Sequence, residues 1–154
     1  MATETKLRQL ADKGCPVYYF YSSERYLVRQ AVTAITRILT ADSDEDATVL
    51  DGAAPEIEQL IMAAGTISFF GTRRVVVLPE IDPAAYSDKD LEELNSTLSS
   101  LENAVVVLGS VFELERSKLK TGKRAQKLIA ECKKLGFAEE LSKPKPYELK
   151  MMLI

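Results

Sequence analysis

No histidine occurs among the 154 residues. That removes the usual general base at neutral pH, the Ser-His-Asp arrangement of nucleophilic hydrolases and every histidine-containing zinc site. Hydrolase and metalloenzyme readings drop sharply. Cysteine is nearly as scarce. Cys15 and Cys132 are too few for a cysteine-only zinc site, and in a reducing compartment they read as small buried hydrophobes. Long apolar runs are missing as well. The longest, Val17 to Tyr21 and Ala104 to Leu108, are strand-sized and far short of the roughly 20 residues that a membrane-spanning helix needs. Residues 1–10 mix Glu4, Lys6 and Arg8 with no apolar stretch, so no secretory signal is read there and the cytosol is the expected location. With 7 Gly, 6 Pro and a net charge of -3, collagenous, low-complexity and disordered readings fail together.

What is present suits one ordinary domain: 46% hydrophobic and 28% charged residues, in a length that buries roughly 70% of its unfolded surface. Val17-Tyr18-Tyr19-Phe20-Tyr21 follows Gly14-Cys15-Pro16 and stops at Ser22-Ser23, which reads as a strand feeding a capped helix. From Glu24 to Leu39, Leu27, Ala31, Ile35 and Ile38 recur at helical spacing. Ala47 to Leu50 is a short second strand. Pro55 then stands at a helix start, Ile57, Leu60, Ile61 and Ala64 share a face, and Gly65 follows the C-cap. Arg74 to Leu78 is a third strand, stopped by Pro79 and Pro83. Ser87 with Asp90 forms a variant capping box before the stripe Leu91, Leu94, Leu98 and Leu101. Ala104 to Leu108 is a fourth strand, a basic stretch from Ser117 to Lys134 follows, and a fifth strand lies near Phe137 to Glu140. Alternating strands and helices, with the third and fourth strands apolar throughout, predict a three-layer α/β domain on a parallel five-stranded sheet. Strand order stays open.

In such a fold the turn after the first strand is where glycine amides and a helix N-terminus cradle phosphate. Here it reads Tyr21-Ser22-Ser23-Glu24-Arg25-Tyr26, with no glycine, no lysine and a carboxylate in the way. Thr121-Gly122-Lys123 ends like a phosphate loop, but it follows Lys118-Leu119-Lys120 rather than a strand and reads as a helix start or kink. Glu80 and Asp82, just past the third strand, sit where magnesium carboxylates belong in such folds. Without a phosphate loop they read as a solvated turn. No catalytic residue, cofactor or metal is expected.

Phe69 and Phe70 stand in Thr66-Ile67-Ser68-Phe69-Phe70-Gly71-Thr72-Arg73-Arg74. Neighbouring side chains diverge on a strand or a helix, so the two rings do not easily share one core pocket. Either one caps the sheet edge while the other covers a helix end, or an apolar protrusion is offered to a partner's pocket. Charge is uneven too. Residues 40–58 hold seven acids and no base, while Phe112 to Lys134 holds eight Lys or Arg against Glu113, Glu115 and Glu131. That basic face is either solvated or meets DNA backbone or an acidic subunit.

Lys143-Pro144-Lys145-Pro146 is a stiff linker, and Tyr147 to Ile154 begins an apolar, helix-like segment. Residues 1–142 are therefore expected as the domain and 143–154 as a linker and the start of something cut away. The other possibility is an intact tail that packs on the sheet.

Taken in order, Val17 to Val28, Asp51-Gly52, Ile67 to Leu78 and Lys143 to Leu149 resemble the N-terminal domain of the delta subunit of bacterial DNA polymerase III. That protein is the clamp-loader subunit that opens the sliding clamp. The likeness covers nearly the whole chain and rests on the order and spacing of its pieces. Many members carry glycine where this chain has Ser22. The resemblance implies a P-loop NTPase, AAA+-like (RecA-like) domain without a functional phosphate loop, followed by a lid and an oligomerising collar. It implies a non-catalytic subunit of the polymerase holoenzyme that acts in DNA replication. Ile67, Ser68, Phe69 and Phe70 would bind the clamp, the beta subunit, with the aromatic pair inserted into a pocket on it. Further partners would be the gamma/tau and delta-prime subunits, reached through the lid and collar, and DNA, reached indirectly or weakly. No membrane contact is implied.

Overall fold

The computed structural model describes residues 4–41, 46–65 and 73–142. Helix α1 (Glu4–Asp12) leads into strand β1 (Val17–Ser22) and α2 (Arg25–Thr40), followed by β2 (Thr48–Val49), α3 (Ile57–Gly65) and β3 (Arg74–Leu78). A 3-10 turn (Pro83–Ala85) precedes α4 (Asp88–Ser99) and β4 (Ala104–Val111). A hairpin of β5 (Leu114–Glu115) and β6 (Lys118–Leu119), then α5 (Gly122–Leu135) and β7 (Phe137–Glu140), complete the described elements.

All five expected strands pair in one sheet in the order β2-β3-β4-β1-β7, and every pairing is parallel. Because side chains alternate along a strand, the apolar runs feed two cores. Val17, Tyr19, Val76, Leu78, Val106 and Leu108 face α3, α4 and α5, where Leu60, Leu94 and Leu128 close the layer. Tyr18, Phe20, Val75, Val77, Val105 and Val107 face α2 and α1, against Val28, Ile35 and Leu7. A strand buried on both faces must be apolar throughout, and all six residues of β1 are buried.

Helix α2 buries a wider stripe than its spacing predicts: Val28 and Val32 join Leu27, Ala31 and Ile35, while Ile38 is half-buried. On α3 the expected face breaks, because Ile57 and Leu60 are buried but Ile61 is 51% exposed. Gly65 is the last residue of α3 rather than the residue beyond its cap. Ser87 caps α4 as predicted, its Oγ accepting the Asp90 N–H at 3.1 Å. Two pieces have no counterpart in the sequence pattern: α1, which packs Leu7 on the sheet, and the β5–β6 hairpin. Cys132 is fully buried and Cys15 half-buried, both as free thiols, and burial raises both above the ordinary thiol range. No helix among the described residues is long and apolar enough to cross a membrane.

Candidate functional site

The parallel sheet has two rims. At the C-terminal rim, the strand ends, β1 runs into the turn at Ser22. The helix it feeds is capped by Glu24, whose side chain makes no cap bond, rather than by either serine. Ser22 is 1% exposed, and its Oγ donates to the Leu141 carbonyl at 2.7 Å and accepts the Glu24 N–H at 3.1 Å. The Ser22 carbonyl accepts the Phe112 N–H at 2.8 Å. An amide that would turn toward phosphate is thus held by the chain's own hydroxyl.

The carboxylates next to this turn are also engaged. Glu80 Oε1 accepts from Arg25 Nε at 2.6 Å, and Asp82 Oδ1 accepts the Ala84 N–H at 3.0 Å, capping the 3-10 turn. Thr121-Gly122-Lys123 starts α5, with Gly122 at φ +81. A strand does precede it, contrary to the sequence reading, but that strand is β6 of the hairpin and not a member of the parallel sheet. An open crevice of about 1000 Å³ runs past the strand ends, large enough for a nucleotide. Its charge is unsuited to one. Glu24, Glu80, Asp82 and Glu113 line it against Arg25 and Lys120, and Arg25 already serves Glu80. A triphosphate there would meet carboxylates before cations, so the residues do not fit that ligand. Among the described residues no three acidic or cysteine side chains converge as a metal ion would require.

Beneath the crevice lies a buried relay. Ser110 Oγ donates to the Ile81 carbonyl at 2.8 Å, so the Tyr19 hydroxyl, 2.7 Å away, donates to Ser110. Burial is the main cause raising the Tyr19 phenol, and Ser110 offsets part of it. Gly109, one residue earlier on β4, is pressed between the Pro79 carbonyl and Val28. Neither the relay nor this close approach shows in a pattern read from sequence, since their members lie on elements far apart in the chain.

At the N-terminal rim, the strand starts, the chain enters β3. Arg74 N–H donates to the Asn103 carbonyl at 2.8 Å, and Arg73 Nη2 reaches the Ala104 carbonyl at 3.4 Å. The Arg73 guanidinium also lies 3.6 Å from the position a side chain would take on Gly14, which has φ +79. The neighbouring Cys15 thiol donates to Val17 O at 3.4 Å. Burial, then Cys15, raises the Tyr18 phenol, and Arg73 opposes the shift. The expected contact residues Ile67, Ser68, Phe69 and Phe70 lie outside the described residues. Their described flanks are Gly65 at the end of α3 and Arg73 at the approach to β3. Near these flanks Ile61 and Met62 are 51% and 71% exposed, and Ile61 borders a groove of about 350 Å³ with Ala64, Ser100 and Leu101.

The basic stretch splits in the structure. Lys118, Lys120, Lys123 and Lys127 are exposed, whereas Arg124 Nε binds Asp88 Oδ1 at 2.9 Å and ties α5 to α4.

Three comparisons bear on this arrangement. The model of the family described as DNA polymerase III, delta subunit, matches residues 18–137, well over half of the chain. The DNA polymerase III subunit delta of Bacillus subtilis (strain 168) is 28% identical over 137 residues, covering 80% of this chain and 39% of that protein. A DNA polymerase III, gamma subunit-related protein from Thermotoga maritima superposes with a TM-score of 0.65 at 15% identity, covering 95% of this chain and 48% of its own. The chain therefore spans less than half the length of either relative, and the second likeness concerns the fold alone. A parallel five-stranded, AAA+-like sheet whose first turn is closed by its own serine, matched over β1 through the start of β7 by one family model, belongs to the DNA polymerase III delta subunit family.

Proposed function

We propose that this domain is the part of a clamp-loader delta subunit that captures the sliding clamp, the beta subunit, and opens it during DNA replication, without catalysing a reaction itself. The observation that carries this reading is the hydrogen-bonded Ser22 turn beneath an acid-lined crevice. Where this fold class binds and hydrolyses nucleotide, the chain has occupied the position with its own groups. Work is then left to surface contact, and the family to which the chain belongs supports a partner in the replication machinery.

The contact is assigned to Ile67, Ser68, Phe69 and Phe70, with the two rings as anchors in a pocket of the clamp. Two aromatics that fit a distorted ring interface better than a closed one would shift the population toward the open ring. Neighbouring gamma/tau subunits would hydrolyse ATP, and their motion would expose or hide the rings. In this reading residues 1–142 form the domain, and residues 143–154 are a linker and the start of a lid domain. Assembly with gamma/tau and delta-prime runs through the lid and collar. The protein works in the cytoplasm.

Phe69→Ala with Phe70→Ala should abolish capture of the clamp in a pull-down while leaving thermal unfolding nearly unchanged. Undiminished capture refutes the assignment. ATP added to the unmodified domain should not raise its unfolding midpoint, as any ligand of the folded state must. A second reading, contact with DNA phosphates, is favoured by the exposed Lys118, Lys120, Lys123 and Lys127. It requires DNA affinity that falls steeply with salt and is lost in Lys123→Glu with Lys127→Glu.

A further inference from the structure

Helices α3 and α4 run back to the N-terminal rim and stop side by side around the groove of about 350 Å³ that Ile61 borders. Ala64 and Gly65 bring the end of α3 to its wall, and Ser96, Thr97 and Ser100 bring the final turn and the cap of α4. The last four carbonyls of a helix have no partner inside it, and the aligned peptide dipoles leave about half a negative charge at that end. Two such ends meet here. A lysine or arginine in the last turn would offset the charge, as Arg37 does on α2 and Lys133 and Lys134 do on α5, but α3 and α4 have none.

The groove's own side chains add to that sign. Glu102 lines it, and no described residue forms an ion pair with Glu102. Among the described residues no lysine or arginine lines the groove. Thr97 Oγ1 donates to the Glu93 carbonyl at 2.8 Å and Ser100 Oγ to the Ser96 carbonyl at 3.0 Å, so these two hydroxyls offer the groove lone pairs and not hydrogens. The opposite wall is apolar, made by Ile61, Ala64 and Leu101. An apolar wall that leads to a cluster of acceptors suits an aliphatic stem ending in a cation, which is the form of lysine and arginine.

We propose that this groove receives a lysine or arginine side chain of the sliding clamp, with its stem along Ile61 and Leu101 and its charged head at the ends of α3 and α4 beside Glu102. This rests on the reading of the N-terminal rim as the clamp contact and adds a second, electrostatic contact to it. In the sequence Gly65 stands two residues before Ile67, so the groove adjoins the start of the assigned contact.

Equilibrium binding of the chain to the sliding clamp, with thermal unfolding of the same samples, tests the proposal. Glu102→Lys should weaken binding about tenfold and Glu102→Gln about threefold. Ser96→Lys, at an exposed position in the last turn of α4, supplies the helix end with the chain's own ammonium. It should weaken binding severalfold while holding or raising the unfolding midpoint. Added salt should weaken the parent more steeply than Glu102→Lys. Asp12→Lys, the same change of charge on α1 in the opposite layer, should leave affinity nearly unchanged. Three results overturn the proposal: parent-like binding by all the groove variants, an equal loss in Asp12→Lys, or a fall of several degrees in the midpoint of Ser96→Lys, which would mean that the protein fills the groove itself. The clamp reading fails differently, through undiminished capture by Phe69→Ala with Phe70→Ala.

Discussion

At the C-terminal rim of the sheet the hydroxyls of Tyr19, Ser22 and Ser110 all donate within the protein, and Glu80 and Asp82 are held by Arg25 and the Ala84 amide. At the N-terminal rim the chain approaches β3 through two arginines bonded to carbonyls at the start of β4, with the exposed Ile61 and Met62 close by on α3. The first rim is where α/β folds usually place their chemistry, because backbone amides and helix N-termini point outward there. In this chain the Glu24 amide at that position is held by the Ser22 hydroxyl, which itself donates to the Leu141 carbonyl. At the second rim the described residues include a side-chain bond from Arg73 to the Ala104 carbonyl, beside two large apolar side chains that stand exposed on α3.

The contrast can be broken most severely at the N-terminal side. Buried aromatic anchors each contribute about 2 kcal/mol or more to an interface, so replacing Phe69 and Phe70 together by Ala should weaken clamp binding by about a thousandfold. Equilibrium binding measures it, with unfolding unchanged. The opposite pattern is expected at the C-terminal rim. Gly109→Ala would drive a Cβ into the Pro79 carbonyl and to 2.8 Å from Val28 Cγ1. Overpacking against backbone should cost about 2–3 kcal/mol, a fall of roughly 5–10 °C in unfolding midpoint. Ser110→Ala should cost about 2 kcal/mol, because it strands both the Tyr19 hydroxyl and the Ile81 carbonyl. Urea denaturation measures the loss, and Tyr19→Phe should cost less, since Ser110 keeps its bond to Ile81. Clamp binding by folded Gly109→Ala and Ser110→Ala should match the parent, which sharpens the division between the rims.

The smallest effect is on pH dependence. Burial raises the Tyr86 phenol, with the Asp90 charge adding to it, from its ordinary value of 10.0 to about 12, and Tyr86 donates to the Pro55 carbonyl at 2.7 Å. A raised folded-state value contributes stability that is fully present below pH 10 and is lost as pH climbs toward 12. Tyr18, Tyr19, Cys15 and Cys132 are raised as well, the cysteines from 9.0, so the decline should begin near pH 9. With no histidine to titrate, the unfolding midpoint should be nearly flat from pH 6 to 8. Tyr86→Phe should flatten part of the alkaline fall in a thermal scan.

Much of the layer structure was legible because it is written at short range. Val75, Val76 and Val77 announce a strand covered on both faces, and Leu91, Leu94 and Leu98 announce the buried stripe of α4. The Ser22 turn was legible as a negative: no glycine, no lysine and an acid in the way. Helix α1 leaves little trace because Leu7 is its one fully buried residue, which gives too little periodicity. The hairpin is equally silent because its tip, Arg116-Ser117, adopts positive φ without glycine or asparagine to signal it. Ile61 shares the spacing of Leu60's face yet stands exposed, since spacing records which residues are apolar and not how far the neighbouring helix extends to cover them.

Residue types and their local periods were enough to determine five strands, their helices and the lack of histidine chemistry, because the pleat and the helical turn convert spacing into facing within a few residues. The order β2-β3-β4-β1-β7, the union of Tyr19 with Ser110 and Ile81, the pressure of Pro79 on Gly109 and the pairing of Arg25 with Glu80 were decided only by the tertiary structure. Each of these side-chain contacts joins residues at least 29 positions apart, and contacts at that range arise from how whole elements pack, which no local pattern encodes.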